Sequence, residues 1–139
     1  MQVFYIGDIL ETAKCLDSKR YNKQIIEVKQ IIKAIKGESK GWVNHPCVIQ
    51  YKRSIDWLYL YLVVFKKYKE GDIKEATRFN YIAKRYVEPT WFTQDYFDNM
   101  KRRLYTKDNN HYKQFEYLGE SYENWYWVDN KWKIYKQKQ

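Results

Sequence analysis

The clearest pattern of hydrophobic positions lies between Leu16 and Gly37, in the stretch LDSKRYNKQIIEVKQIIKAIKG. Apolar residues recur there at alternating spacings of four and three, which places them on one face of an α-helix. These residues are Tyr21, Ile25, Val28, Ile32 and Ile35. The pattern predicts a long amphipathic helix that is capped by Asp17 or Ser18 and ends at Gly37.

A row of polar residues follows the edge of the same predicted helix. Arg20, Gln24 and Glu27 recur at the same spacings, roughly 100° around the helix from the apolar face, with Lys23 one position to the side. Ile31 continues the row, and an isoleucine has little reason to lie on a solvated surface. The row therefore predicts a partly enclosed polar site beside the core. The alternative is a solvated face with weak ion pairs, because these polar residues are good helix formers.

The segment before this helix carries two shorter signals. The first six residues, MQVFYI, are apolar and β-prone, and they predict either an edge strand or an N-terminal arm packed on the core. Asp8 and Glu11 have the spacing of a capping box, which predicts a short helix that ends near Cys15.

The loop ESKGWVNHP, residues 38–46, is the most informative connection in the chain. Gly41 permits a tight bend, and Trp42 is a large anchoring side chain. Asn44 is expected to cap a helix over residues 47–52, with Pro46 in its first turn. His45 would lie beside that helix start, where backbone amides favour an anion. A structural hydrogen-bonding role for the histidine is the alternative.

The remainder of the chain predicts further helices and one hairpin. A helix from Ser54 to Gly71 has the nearly all-apolar middle LYLYLVVF, and weaker patterns predict helices over 73–86 and 94–105 and a short turn near 108–115. Asp129 and Asn130 separate two aromatic runs within 126–135, which predicts a hairpin, with an irregular aromatic tail as the alternative. We therefore expect a mainly α fold: one compact helical bundle over residues 1–139, with a short N-terminal strand or arm and a C-terminal hairpin.

Charge and aromatic content narrow the classes of partner. The chain has 26 Lys and Arg against 17 Asp and Glu, a formal net charge of +9, which favours nucleic acid or a phosphorylated nucleotide as ligand. A lysine-rich composition is equally expected from an AT-rich genome. With 6 Trp, 15 Tyr and 6 Phe, some aromatic side chains must lie at the surface. Surface aromatics of this kind suit base stacking or a protein interface.

The cysteine spacing and the hydropathy of the chain argue against a zinc site, a secreted protein and a membrane-spanning protein. Cys15 and Cys47 fit no zinc spacing, and no signal-type apolar run precedes them, so we expect a cytoplasmic protein with reduced thiols and with neither metal nor cofactor. No window approaches 18 uninterrupted apolar residues, so no membrane span is expected. The sequence carries no signal for the oligomeric state.

The stretches LDSKRYNKQIIEVKQI and GWVNHPCVIQY resemble the pyrimidine-dimer DNA glycosylase superfamily, typified by the small phage enzyme of the endonuclease V type. The similarity is greatest to small cytoplasmic and phage relatives with an LDxxRxxKQxxExxQI helix and a GWxNHP loop. The later PTWF segment and the region from KDNNHY to YWV also look like that subgroup, so the resemblance covers most of the chain.

The resemblance implies a chemistry for particular residues. In characterised members an α-amino group attacks the sugar C1′, a glutamate on the long helix assists, and the resulting Schiff base allows strand cleavage. Glu27 matches that glutamate by its place in the helix motif. The ligand-binding residues implied by the motifs and their neighbours are Asp17, Arg20, Lys23, Gln24, Trp42, Asn44 and His45.

This chain departs from the known enzyme at the nucleophile. That enzyme exposes a threonine amine after its initiator methionine is removed, whereas methionine is normally kept before a residue as bulky as Gln2. Either Met1 supplies the amine, or a lysine such as Lys23 does, or the lyase chemistry is absent. Ile26 and Gln30 also replace basic helix residues that grip DNA in the known enzyme.

Three functions follow from the sequence. The first is a DNA glycosylase for damaged or modified bases, with or without abasic-site lyase activity, that flips a nucleotide into a pocket near Glu27. The second is a binding module on the same scaffold that holds nucleic acid or a small phosphorylated nucleotide without chemistry, as a phage factor that sequesters a ligand or partner would. The third is a protein-binding factor that uses exposed Tyr and Trp as anchors.

Overall fold

The structure, a computed structural model, describes residues 1–136 of the chain. The predicted mainly α fold with a C-terminal hairpin is confirmed. The helices are α1 (Ile9–Cys15), α2 (Ser18–Ile35), α3 (Pro46–Tyr51), α4 (Ile55–Lys69), α5 (Ile73–Ile82) and α6 (Gln94–Lys107). A π-helical turn over Ala83–Val87 extends α5, a 3₁₀ helix covers Lys113–Leu118, and the two antiparallel strands are β1 (Glu123–Val128) and β2 (Lys131–Lys136).

The amphipathic helix predicted first is α2, and its ends are those expected. Asp17 is the N-cap, and its carboxylate accepts a hydrogen bond from the Arg20 amide. Gly37 follows the last turn with φ +76°, a conformation in which glycine carries no side-chain penalty. Ile31 is fully buried, so the row that it shares with Arg20, Gln24 and Glu27 does run along the edge of the core.

The all-apolar helix α4 lies at the centre of an aromatic core. Trp57, Tyr61 and Phe65 are fully buried on it, and α4 packs against α1, α2 and α5. Tyr61 stacks on Phe65 with ring centroids 4.3 Å apart, and Tyr51 from α3 stacks on Trp57 at 5.6 Å. Stacked and edge-to-face rings of this kind add to the free energy gained from apolar burial.

The first six residues form an arm, so the edge-strand alternative is wrong. The N-terminal arm, residues 1–6, has no strand pairing among the described residues, yet Val3 and Tyr5 are almost completely buried. Tyr5 contacts the ring of Trp57 edge-on at 5.1 Å. The arm is therefore fixed by side-chain burial and by side-chain hydrogen bonds to its backbone instead of by a β-ladder.

Two predicted helices differ from those observed. The helix expected over 73–86 is α-helical only to Ile82 and then widens into the π-helical turn over Ala83–Val87. The predicted cap Asn44 is wrong, because His45 is the N-cap of α3 and its Nδ1 accepts a hydrogen bond from the Cys47 amide at 3.1 Å.

The hairpin is confirmed in both position and turn. Asp129 and Asn130 have φ of +56° and +59°, the pair of positive values that a two-residue type I′ turn requires. β1 packs against α3 and α6, which directs Tyr126 and Val128 into the core. Among residues 1–136, no helix combines the length and the apolar character needed to cross a bilayer.

Candidate functional site

A polar recess opens between the N-terminal arm, α2, α6 and β1. Its volume is about 370 Å³, within the usual range for small-molecule sites. It contains the polar row of α2 and the first residue of the chain. The side chains that line it, here called the recess, are Met1, Gln2, Phe4, Lys19, Arg20, Lys23, Gln24, Glu27, Arg103, Lys107, Asn124 and Tyr126.

Gln24 fixes the N-terminal arm onto α2. Its side chain is 1% exposed, and its Oε1 accepts a hydrogen bond from the Phe4 amide at 2.6 Å. Its Nε2 donates to the Gln2 carbonyl at 2.7 Å. Because one side chain satisfies a donor and an acceptor two residues apart, the arm cannot slide along the helix without losing both bonds. Gln24, which the sequence predicts as a ligand-binding residue, lines the recess and uses its side-chain amide to hold the arm.

Three further contacts fix the first two residues of the arm. The Gln2 side chain is buried, and its Oε1 accepts a hydrogen bond from Arg103 Nε at 3.1 Å, while its Nε2 contacts Met100 Sδ at 3.4 Å. The hydroxyl of Tyr126 donates to the Met1 carbonyl at 3.0 Å. The first residue of this chain is thus held at the recess by its carbonyl and by the buried side chain of the residue that follows it.

Glu27 is the only carboxylate that lines the recess among the described residues. Its side chain is 18% exposed, so it is partly enclosed and still reachable from solvent. The nearest cation, Lys23 Nζ, lies 4.0 Å from Glu27 Oε1 on a side chain that is 69% exposed. An exposed ion pair at that distance contributes little, so the carboxylate is available to a ligand in the recess.

Cations surround this carboxylate. Lys19, Arg20 and Lys23 come from α2, and Arg103 and Lys107 come from α6. Burial lowers the pKa of Lys107, and the charges of Arg103, Arg20 and Lys23 lower it further. A lysine whose protonation is resisted by neighbouring cations marks a region of positive potential, which an anionic ligand would relieve.

Asp17 organises one wall of the recess without lining it. Its carboxylate accepts hydrogen bonds from Arg20 Nη1 at 3.1 Å and from the hydroxyl of Tyr112. Burial alone would raise the pKa of Asp17, but the bonds from Tyr112 and Arg20 outweigh it and hold the pKa below its ordinary value. Arg20 Nη2 also reaches the Lys107 carbonyl at 3.5 Å. Asp17 therefore positions the guanidinium between α2 and α6.

The predicted residues of the 38–46 loop lie outside the recess. Trp42 and Asn44 are exposed, and neither lines it. His45 is half-buried, and its ring meets that of Tyr126 edge-on with centroids 5.8 Å apart. Burial lowers the pKa of His45, and the positive charge of the N-terminal amine lowers it further, in agreement with a neutral ring whose Nδ1 caps α3. The His45 ring accepts the hydrogen bond of the Cys47 amide, so this amide does not face an anion as the sequence predicted.

Seven residues that line the recess were not predicted from the sequence as site residues: Gln2, Phe4, Lys19, Arg103, Lys107, Asn124 and Tyr126. Arg103, Lys107 and Tyr126 come from α6 and β1, far along the chain from α2. Arg103 is buried to 3% exposure in a basic helix segment, and only its spacing of four from Lys107 on one helix face hinted at a shared surface. The described residues contain no group of three or more His, Cys, Asp or Glu side chains arranged to hold a metal ion.

Replacing Gln24 tests the role of the arm contacts. We expect Gln24→Leu to lower the free energy of unfolding by about 2–4 kcal/mol, because the Phe4 amide and the Gln2 carbonyl both lose a buried partner. Gln30→Leu, at an exposed position of the same helix, is the matched control and should change stability by less than about 0.5 kcal/mol. Urea unfolding of both variants measures the difference. Equal stabilities would contradict the assigned role.

One comparison with known proteins supports the predicted resemblance over the first 67 residues. The sequence profile of the pyrimidine dimer DNA glycosylase family matches residues 1–67, and the predicted resemblance to that superfamily is confirmed there. No significant match was found among curated proteins or solved structures. The matched segment includes Met1, Gln24 and Glu27, whereas Arg103 and Tyr126 lie beyond it.

Proposed function

We propose that the recess binds damaged or modified DNA and that the protein is a DNA glycosylase with lyase activity, because residues 1–67 match the pyrimidine dimer DNA glycosylase family. The α-amino group of Met1 is the nucleophile, and Glu27 is the acid–base residue. The observation that carries the proposal is that Met1 and Glu27 line one cationic recess, with the arm fixed there by Gln24.

The first chemical step uses the amine and the carboxylate together. The neutral α-amine attacks C1′ of the damaged nucleotide, and the bond from C1′ to the base nitrogen breaks with its electron pair leaving on the base. Glu27, as a carboxylate, stabilises the positive charge that develops at C1′ and accepts the proton released by the attacking amine. The nitrogen lone pair then opens the sugar ring by breaking the bond from C1′ to O4′, Glu27 returns its proton to O4′, and a protonated Schiff base between Met1 and C1′ results.

The second step cleaves the strand. The Schiff base acidifies the hydrogens on C2′, and when Glu27 accepts one of them as a proton, the bond from C3′ to its phosphate oxygen breaks and the 3′ phosphate leaves by β-elimination. Hydrolysis of the Schiff base returns the free amine. The cations Lys19, Arg20 and Lys107 support the proposal here, because they would hold the phosphates that flank the reacting sugar.

Lys23 is the less suitable nucleophile. Its side chain is 69% exposed, and its Nζ meets Glu27 only at 4.0 Å, so no described contact holds it in one position. The Met1 peptide, by comparison, is fixed by Tyr126 and its neighbour by Gln24. Fixing a nucleophile near its target supplies much of the rate of an intramolecular reaction, which favours Met1.

Borohydride trapping tests the proposed function. The purified protein, with its intact mass measured to verify that Met1 is present, is mixed with duplex DNA containing an abasic site and with ultraviolet-irradiated duplex. We expect a covalent protein–DNA adduct with borohydride and strand cleavage without it. Lys23→Gln should form the same adduct. Tight binding of either duplex without adduct or cleavage would overturn the proposal.

Binding without chemistry is the second candidate. It is favoured by Gln2, a bulky residue that stands where the known enzyme exposes threonine. The Gln2 side chain is buried and contacts Arg103 and Met100. In that case the cationic recess holds nucleic acid or a phosphorylated nucleotide as a ligand. Copurification of a nucleotide, seen as a mass shift in a native preparation, together with no nicking of DNA would support this candidate over the enzyme.

A further inference from the structure

Four aromatic rings form a continuous row from the 38–46 loop to the hairpin. Trp42 meets His45 edge-on with centroids 5.8 Å apart, and His45 meets Tyr126 in the same way at 5.8 Å. Tyr126 in turn contacts Tyr135 at 5.4 Å. The two ends of this aromatic row, Trp42 and Tyr135, are 53% and 41% exposed, while Tyr126 is buried at its middle.

Trp42 is held in an unusual backbone conformation. Its φ is +69°, in the left-handed region that favours glycine and is rare for a large side chain. The His45 amide donates to the Trp42 carbonyl at 2.8 Å, which closes the turn that keeps this conformation. A positive φ at a residue with a large side chain costs conformational energy, and such backbone outliers concentrate at functional sites.

The aromatic row connects Trp42 to the recess. Tyr126 lines the recess and bonds the Met1 carbonyl. The rings of Trp42 and Tyr126 lie no more than about 12 Å apart, since each centroid is 5.8 Å from that of His45. At 3.4 Å per stacked base, that distance corresponds to about three nucleotides of one strand. A strand whose phosphates lie on the recess cations therefore brings a nearby base within reach of Trp42.

We infer that Trp42 is a stacking site for an unpaired nucleobase beside the lesion, an inference that rests on the proposed function. The base lies against the exposed face of the indole, while Arg20, Lys107 and Lys23 hold the adjoining phosphates. Stacking on an aromatic side chain tolerates any base, so this contact selects a disrupted base pair and not a sequence. Trp42 would thereby determine specificity for distorted DNA without touching the reacting sugar.

Binding assays with an uncleavable duplex test the inference. The duplex carries a tetrahydrofuran abasic analogue and, within three nucleotides of it on the same strand, a mismatched 2-aminopurine, and a fully paired duplex serves as reference. We expect Trp42→Ala to weaken binding of the analogue duplex by about 5- to 150-fold and to leave binding of the paired duplex unchanged. Trp42→Phe should retain most of the affinity. The wild type should quench 2-aminopurine fluorescence on binding, and Trp42→Ala should not.

Tyr86→Ala is the matched control, because Tyr86 is also an exposed aromatic, at 71% exposure, and does not line the recess. Affinity of Trp42→Ala equal to that of Tyr86→Ala, or an equal loss on paired and analogue duplexes, would overturn the inference. Salt-insensitive binding of a protein partner that is lost in Trp42→Ala, with DNA binding unchanged, would also overturn it. The analogue has no aldehyde, so this assay is independent of Schiff-base formation. Failed trapping with intact stacking would therefore refute the catalytic proposal alone.

Discussion

Glu27→Gln is expected to lower the rate of strand cleavage by about 10²- to 10⁴-fold, the range in which a positioned acid–base residue contributes. The amide keeps the size of the side chain and removes both its charge and its ability to accept a proton. Stability should change little, because the one described ion pair of Glu27 is long and its partner Lys23 is exposed. Single-turnover cleavage of abasic duplex measures the rate, and urea unfolding verifies the fold.

Glu11→Gln is the control for this substitution. Glu11 also forms a helical ion pair, with Lys14 at 3.6 Å, but it lies on α1 and does not line the recess. Its rate of cleavage should match that of the wild type. Full activity in Glu27→Gln would remove the carboxylate from the mechanism, whatever the behaviour of the control.

A one-residue extension before Met1 is expected to abolish borohydride trapping, a loss of at least about 100-fold. The extension displaces the amine by up to about 3.8 Å. The arm cannot shift to compensate, because Gln24 bonds the backbone of residues 2 and 4 and Tyr126 bonds the Met1 carbonyl. Gel analysis of the adduct measures the effect.

Binding of the uncleavable abasic duplex is the control for the extended protein. It should remain within about threefold of the wild type, because the cations of α2 and α6 that hold the phosphates are unchanged. Trapping at the wild-type level by the extended protein would mean that the amine acts from a flexible position or that a lysine is the nucleophile.

The sequence predicted the parts of the fold that depend on local patterns. The apolar and polar rows of α2 follow from helical spacing, its ends from Asp17 and Gly37, and the hairpin turn from Asp129 and Asn130, which readily adopt positive φ. Helical spacing also predicted that Ile31 is buried and that Glu27, in the same row, is partly enclosed. These features require only the periodicity of the helix and the conformational preferences of single residues.

The parts that could not be predicted depend on contacts between distant residues. Nothing near Gln24 in sequence indicates that its amide would bond the arm 20 and 22 residues away, and Arg103 meets Gln2 across 101 residues. His45 replaced Asn44 as the cap of α3 because an imidazole nitrogen can accept the same amide hydrogen bond as an asparagine oxygen. The recess is a product of tertiary packing, and only one of its walls, α2, could be identified from the sequence.

The central claim is that the first residue of the chain is the nucleophile. Reduction of the trapped complex with borohydride, digestion of the DNA and protein, and tandem mass spectrometry of the modified peptide identify the nitrogen that carries the sugar remnant. We expect the modification on the α-nitrogen of Met1, in the tryptic peptide that ends at Lys14. A remnant on Lys23 or on any other lysine side chain would contradict it.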